Sequence, residues 1–325
     1  MILKLRGSHK DYLWGGTKLM DEYNQHSDSD IMAESWVVST HKDGPSFIEN
    51  TDINEATLKE YIENNPMSLG SNNQEYAQLP VLVKLIDSNQ PLSVQVHPDD
   101  AYAQKHENDN GKNEMWVILD AIENAQLVVG LNKVITAEQL EQSIRDNTLE
   151  QHLNYVPVKQ GDVVYIPAGT IHAIGAGITI CEIQQSSNVT YRLYDYNRKD
   201  NNGSTRELHI DKGVYVSNLD PYPSVLQNGY DESITDDCRF KTLVSNKYFI
   251  TKQYDINNRC TIEHSLHSFL VVVVIDGDVS ISYNDYSVKG IKGDSFFIGA
   301  GIHPITIKGN AKLITVSVVN SDKDY

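Results

Sequence analysis

The strongly apolar stretches of this chain are short, rich in β-branched or aromatic residues, and closed by turn formers. Runs at 80–86, 116–119, 162–166 and 269–275 are of this kind, each bounded by Gly, Pro, Asn or Asp. Branching at Cβ restricts a side chain in a helix but fits a pleated surface, and the bounding residues supply turns. Helical patterns are fewer. Thr136-Ala137-Glu138-Gln139 reads as a capping box opening a short helix toward Arg145, and residues 56–64 form a second candidate, stopped by Pro66. Many short strands with few helices predict a mainly β chain, folded as a sandwich or barrel. The longest purely apolar run, seven residues at 269–275, is far too short to span a bilayer.

Length and charge narrow the possibilities further. The 325 residues allow one large domain or two smaller ones, each able to bury a core. With 27 basic against 44 acidic residues, a net charge of -17 and no Lys/Arg block, the surface repels phosphate backbones. Neither nucleic acid nor an anionic membrane is therefore expected as a partner. The charge is unevenly placed: residues 236–325 hold ten basic and ten acidic residues, so the whole excess lies in residues 1–235. That shift predicts two domains, 1–235 and 236–325, joined through the polar stretch 221–237 with its Pro221, Pro223 and Gly229. Met1 to Gly7 contains no apolar signal core, and Cys181, Cys238 and Cys260 give neither a disulfide framework nor a CxxC pair. A cytoplasmic protein with reduced thiols is expected.

One weak repeat connects the two halves. Residues 161–172, Gly-Asp-Val-Val-Tyr-Ile-Pro-Ala-Gly-Thr-Ile-His, resemble 293–303, Gly-Asp-Ser-Phe-Phe-Ile-Gly-Ala-Gly-Ile-His, which implies two barrels of one type. The histidine lies eleven residues after its glycine in the first copy and ten in the second. A slip of one residue along a strand turns a side chain to the opposite face, so His172 and His303 are expected to face different ways. Upstream, Ser93, Gln95 and His97 alternate with Val94 and Val96 and so share one face of a strand. Gly111-Lys112-Asn113-Glu114 follows after a long polar connection.

The pattern Gly161-x5-Pro167-x-Gly169-x2-His172 resembles the second signature of the cupin family, and Ser93-Val94-Gln95-Val96-His97-Pro98 stands where the first should be. Across nearly its whole length the chain resembles type I mannose-6-phosphate isomerases (phosphomannose isomerases) in their short bacterial form. Besides the segments above, the resemblance includes Trp14-Gly15-Gly16-Thr17-Lys18-Leu19, Glu34-Ser35-Trp36, Leu92 to Asp100, and the block from Cys181 to Tyr196. It implies cupin (jelly-roll β-barrel) domains, the first catalytic and metal-binding with small helical insertions; the shortened spacing from Gly293 to His303 predicts that the second holds no metal. The resemblance also implies one zinc ion per chain on Gln95, His97, Glu114 and His172, with Arg192 as the active-site arginine. The separate helical domain of longer members is expected to be reduced or absent.

The residues themselves support that chemistry. Two imidazoles, a carboxylate and an amide oxygen make an open site for a divalent metal. Interconverting an aldose and a ketose requires removing a proton beside the carbonyl, giving an enediolate whose charge a cation stabilises. Ser93, Lys112 and Arg192 are the candidates for holding the phosphate, and Glu182 and Lys112 for moving the proton. Each has a plainer reading. A lone histidine among valines is ordinarily a packed residue, Glu182 and Arg192 could be a structural ion pair, and Trp14 and Trp36 are read as core. Two His and one Glu also make the facial triad of iron oxygenases, and a non-catalytic sugar-binding cupin would share the fold. The expected partner is a small sugar phosphate, with the chain a monomer or homodimer.

Overall fold

The computed structural model describes residues 1–50, 52–73, 75–199, 203–222 and 231–318, and among these it contains twenty strands and five α-helices. The four apolar runs fall in strands Val81–Ser88, Glu114–Ala121, Val163–Ile166 and Leu270–Tyr283. Both expected helices form. In Ala137–Arg145, the Thr136 hydroxyl accepts from Gln139 N and the Gln139 amide oxygen accepts from Thr136 N. Leu58–Asn64 opens on a second such box, between Thr57 and Glu60. A cap of this kind contributes about 1 kcal/mol by satisfying otherwise orphaned N–H groups. Three further helices, Lys18–Glu22, Asp100–His106 and Ile210–Val216, are short and open without a capping box. Asp100–His106 carries one local signal, since Asp99 Oδ1 accepts from Tyr102 N as an N-cap. It occupies much of the polar connection between His97 and Glu114.

The chain forms two compact units. One comprises Met1–Lys10, Thr17–Leu85 and Asn228–Tyr325; the other comprises Asp11–Gly16 and Ile86–Gln227. The chain passes from one unit to the other at 227/228, inside the expected joining stretch 221–237, but the unit that holds the C-terminal part also takes in Met1–Lys10 and Thr17–Leu85. The physical reason is strand pairing: Ile2–Arg6 lies antiparallel to Ser295–Ile298, with Ile2 opposite Ile298, so the start of the chain completes the C-terminal sheet. Residues 223–230 of the expected joining stretch lie outside the described residues.

In the first unit a nine-stranded sheet runs from Asp231–Thr235 to Phe47–Ile48, with Ile250–Ile262, Ile305–Ser317 and Leu270–Tyr283 as its long central strands. Val272, Val274, Phe296 and Leu313 sit in its core. Cys238 and Cys260 are joined there in a disulfide, with Cα atoms 5.3 Å apart, which corrects the expectation of three reduced thiols; Cys181 is free and buried. The two are 22 residues apart, and only strand pairing brings them together. His303 is half-buried; its Nδ1 accepts from His264 N, and its ring meets the His264 ring edge-on at 5.6 Å.

In the second unit a five-stranded sheet has the order Tyr191–Tyr194, Val94–Val96, His172–Ile174, Gln126–Leu131, Leu153–Pro157. Period-two alternation gives it two different faces. Val94, Val96, Ile171, Ala173, Tyr191 and Leu193 pack with Leu140 and Ile144 of the capped helix. Ser93, Gln95, His97, His172 and Arg192 alternate with them and so lie on the opposite face. A run of strands Val163–Ile166, Glu114–Ala121 and Ile178–Gln185 brings Glu114 and Glu182. No helix among the described residues is long and apolar enough to cross a membrane.

Candidate metal centre

The site is built where strand ends meet. His172 pairs with Gln95 in register, and Gln95 in turn pairs with Arg192, so the three lie in one row across the sheet. His97 follows the strand Val94–Val96 directly. Glu114 begins its own strand, opposite Gln184, which puts Glu182 opposite Trp116 on the same face. Two glycines hold the connecting loops. Gly169 adopts φ +87°, a conformation that favours glycine, in the turn before His172. At Gly111 a Cβ would lie 2.4 Å from Asp100 N, so only glycine lets the loop carrying Lys112 and Glu114 pass this close to the helix.

The candidate ligands converge. His97, Glu114 and His172 are buried, and their donor atoms all lie within 4.8 Å of one another. Glu114 Oε1 is 3.2 Å from His172 Nε2, and Oε2 is 3.4 Å from His97 Nε2. The Gln95 amide nitrogen stands 3.4 Å from His172 Nε2, at the half-buried edge of the cluster. The outer nitrogen of each imidazole faces a carbonyl: His97 Nδ1 is 2.8 Å from Val189 O, and His172 Nδ1 is 2.8 Å from Thr170 O. An Nδ1–H donated outward leaves Nε2 as an acceptor with its lone pair pointing inward, which is the tautomer a metal requires. Burial, reinforced by the Lys112 charge, pushes the His97 imidazolium down to about 3, and burial also lowers His172, so both rings are neutral at pH 7.

Charge balance comes from Lys112. Its ammonium, 4% exposed, lies 2.7 Å from Glu114 Oε2 and 2.8 Å from His97 Nε2. Burial alone would raise the Glu114 carboxyl; the Lys112 charge is the largest opposing influence, and Glu114 is held well below the usual carboxylate range. Close as Lys112 is, both Glu114 oxygens remain buried without a hydrogen bond of normal geometry. Two inward-facing neutral imidazoles and a buried carboxylate balanced by Lys112 form a set that fits a divalent cation.

The other expected residues lie around this centre. Glu182 is buried, and the Trp116 indole N–H donates to its Oε1 at 3.0 Å. Arg192 Nε donates to Ser93 Oγ at 3.3 Å, and Nη1 donates to Glu207 O at 3.0 Å. Trp14 and Trp36 are buried, as expected of core residues. The sequence reading missed the supporting contacts. The Val189 and Thr170 carbonyls are backbone groups and leave no mark in a residue pattern. Asn113 was legible in principle, as a polar residue between Lys112 and Glu114. Its side chain donates to Gln185 Oε1 at 2.8 Å and accepts from Ala168 N at 3.0 Å, tying both loops together.

The chain is similar in sequence and fold to known proteins. Residues 2–127 match the catalytic domain of phosphomannose isomerase type I, and residues 239–318 match the cupin domain of mannose-6-phosphate isomerase. The chain is 36% identical to mannose-6-phosphate isomerase ManA of Bacillus subtilis (strain 168), over 94% of this chain and 95% of that one. It is 34% identical to the mannose-6-phosphate isomerase of Streptococcus mutans, over 93% of each. The crystal structure of the mannose 6-phosphate isomerase from Bacillus subtilis superposes with a TM-score of 0.88 at 35% identity, covering 97% of this chain and 99% of that one. The chain belongs to the type I phosphomannose isomerase family.

Proposed function

We propose that this chain interconverts mannose 6-phosphate and fructose 6-phosphate through an enediolate, with one zinc ion held by Gln95, His97, Glu114 and His172. The observation that carries the reading is the convergence of two neutral imidazoles and a buried carboxylate on the sheet face that also presents Arg192. Bound there, zinc supplies Lewis-acid polarisation of the sugar oxygens and offsets developing negative charge, with no redox chemistry of its own. The outward hydrogen bonds from His97 and His172 orient both rings in advance. Arg192 and Ser93, joined at 3.3 Å, offer a planar fork and a hydroxyl to the phosphate or to an enediolate oxygen. These groups supply local positive potential in a chain of net charge -17.

Glu182 is the favoured group for moving the proton between the two carbons, with its orientation held by the Trp116 N–H. Lys112, the other candidate, is committed to Glu114 and His97. Its burial there suits a fixed charge beside the ligands better than a phosphate grip. A coupled assay for fructose 6-phosphate formed from mannose 6-phosphate tests the reaction, before and after chelation and again with zinc restored. Activity lost on chelation and recovered with zinc is the expected result. Full activity in thoroughly demetallated protein would overturn the metal assignment, and no turnover in zinc-loaded protein would overturn the substrate.

A further inference from the structure

The block Cys181 to Tyr196 ends in an aspartate that the chemistry above does not use. Asp195 is 6% exposed and is met by two guanidinium groups. Arg206 grips it as a fork, Nε to Oδ2 at 2.8 Å and Nη2 to Oδ1 at 2.5 Å. Arg198 adds Nη2 to Oδ1 at 2.5 Å and sends Nη1 to the carbonyl of Pro91 at 2.7 Å. Both guanidinium groups thereby reach segments that hold Arg192. Glu207, whose carbonyl accepts from Arg192 Nη1 at 3.0 Å, is the neighbour of Arg206 in the chain. Ser93, whose hydroxyl accepts from Arg192 Nε at 3.3 Å, lies two residues after Pro91. One buried carboxylate therefore ties down both partners of the Arg192 side chain.

We infer that Asp195, clamped by Arg206 and Arg198, is a positioning residue that aims the Arg192 guanidinium at the substrate. The inference rests on the role proposed for Arg192. A bidentate arginine–carboxylate pair fixes angle as well as distance, which a single ammonium contact does not. Aim matters because misplacing a reacting group by about 1 Å can cost on the order of 100-fold in rate. Without the clamp, the Glu207 carbonyl and the Pro91–Ser93 segment keep their chain connections but lose their shared anchor, and Arg192 gains freedom it must surrender on binding.

A double-mutant cycle separates positioning from general stability, because residues acting through one another are non-additive. Asp195→Asn and the milder Arg206→Lys are each made alone and in an Arg192→Lys background. The measurements are kcat and KM for mannose 6-phosphate, zinc content and melting temperature. The expected result is a loss of about tenfold in kcat/KM for each single change at unchanged zinc content, shrinking to less than about twofold when Arg192 is already lysine. The same factor in both backgrounds, or a loss that tracks zinc content, would overturn the inference while leaving the role of Arg192 intact. Wild-type kinetics for Arg192→Lys alone would remove Arg192 from the mechanism and the inference with it.

Discussion

Glu114→Gln keeps the shape of the side chain and removes its charge, so it isolates what that charge does. The carboxylate is fully buried, and its nearest cation is Lys112, 2.7 Å away and itself 4% exposed. After the change, Lys112 keeps only the His97 imidazole at 2.8 Å, which is neutral because burial and Lys112 push it down to about 3. An ammonium would then be buried without a counter-charge. Breaking such a pair from one side costs about 3–5 kcal/mol. Against a total stability of about 5–15 kcal/mol, that is a large fraction, and it corresponds to a drop of roughly 6–20 °C in melting temperature. Thermal and urea unfolding in excess chelator read this cost without any contribution from bound metal. Adding Lys112→Met should recover most of the loss, because an apolar replacement of a buried pair is often neutral. Wild-type stability for Glu114→Gln in chelator, or no recovery in the double variant, would refute the pairing described here.

Three further outcomes follow from the same geometry. Arg192→Lys retains charge but loses the planar fork, so kcat should fall at least about tenfold, or about 1.4 kcal/mol, with the fold intact; unchanged kcat would count against its role. His303→Ala should leave zinc content, expected at one ion per chain, and turnover unchanged, because His303 faces His264; elemental analysis showing a second ion lost with it would reverse that reading. Burial alone would raise the Asp195 carboxyl, but Arg206 and Arg198 outweigh it and hold it below the usual range. Its stabilisation is therefore present above the unfolded value of about 3.9 and lost as pH falls through the lower folded value. The melting-temperature gap between wild type and Asp195→Asn should narrow below about pH 4, whereas a gap constant with pH would contradict the ion cluster.

Much of this protein is determined locally and can be read along the chain. Valines at 94 and 96 against Ser93, Gln95 and His97 announce a strand with a core face and a polar face, because side-chain direction alternates strictly. Thr136 with Gln139 announces a helix start, because both partners of the capping box lie within one turn. The spacing from Gly161 to His172 belongs to the same class of signal. What the tertiary structure decided is which segments become neighbours, since pairing across tens or hundreds of residues leaves no periodic trace. Ile2 meets Ile298, so the compact unit that holds residues 236–325 also takes in the start of the chain, which the change in surface charge does not reveal. Cys238 meets Cys260 across a sheet whose order no spacing reveals. At the candidate metal centre the side chains were legible but their tautomers were not, because these depend on the carbonyls of Val189 and Thr170, and every residue type carries the same backbone carbonyl.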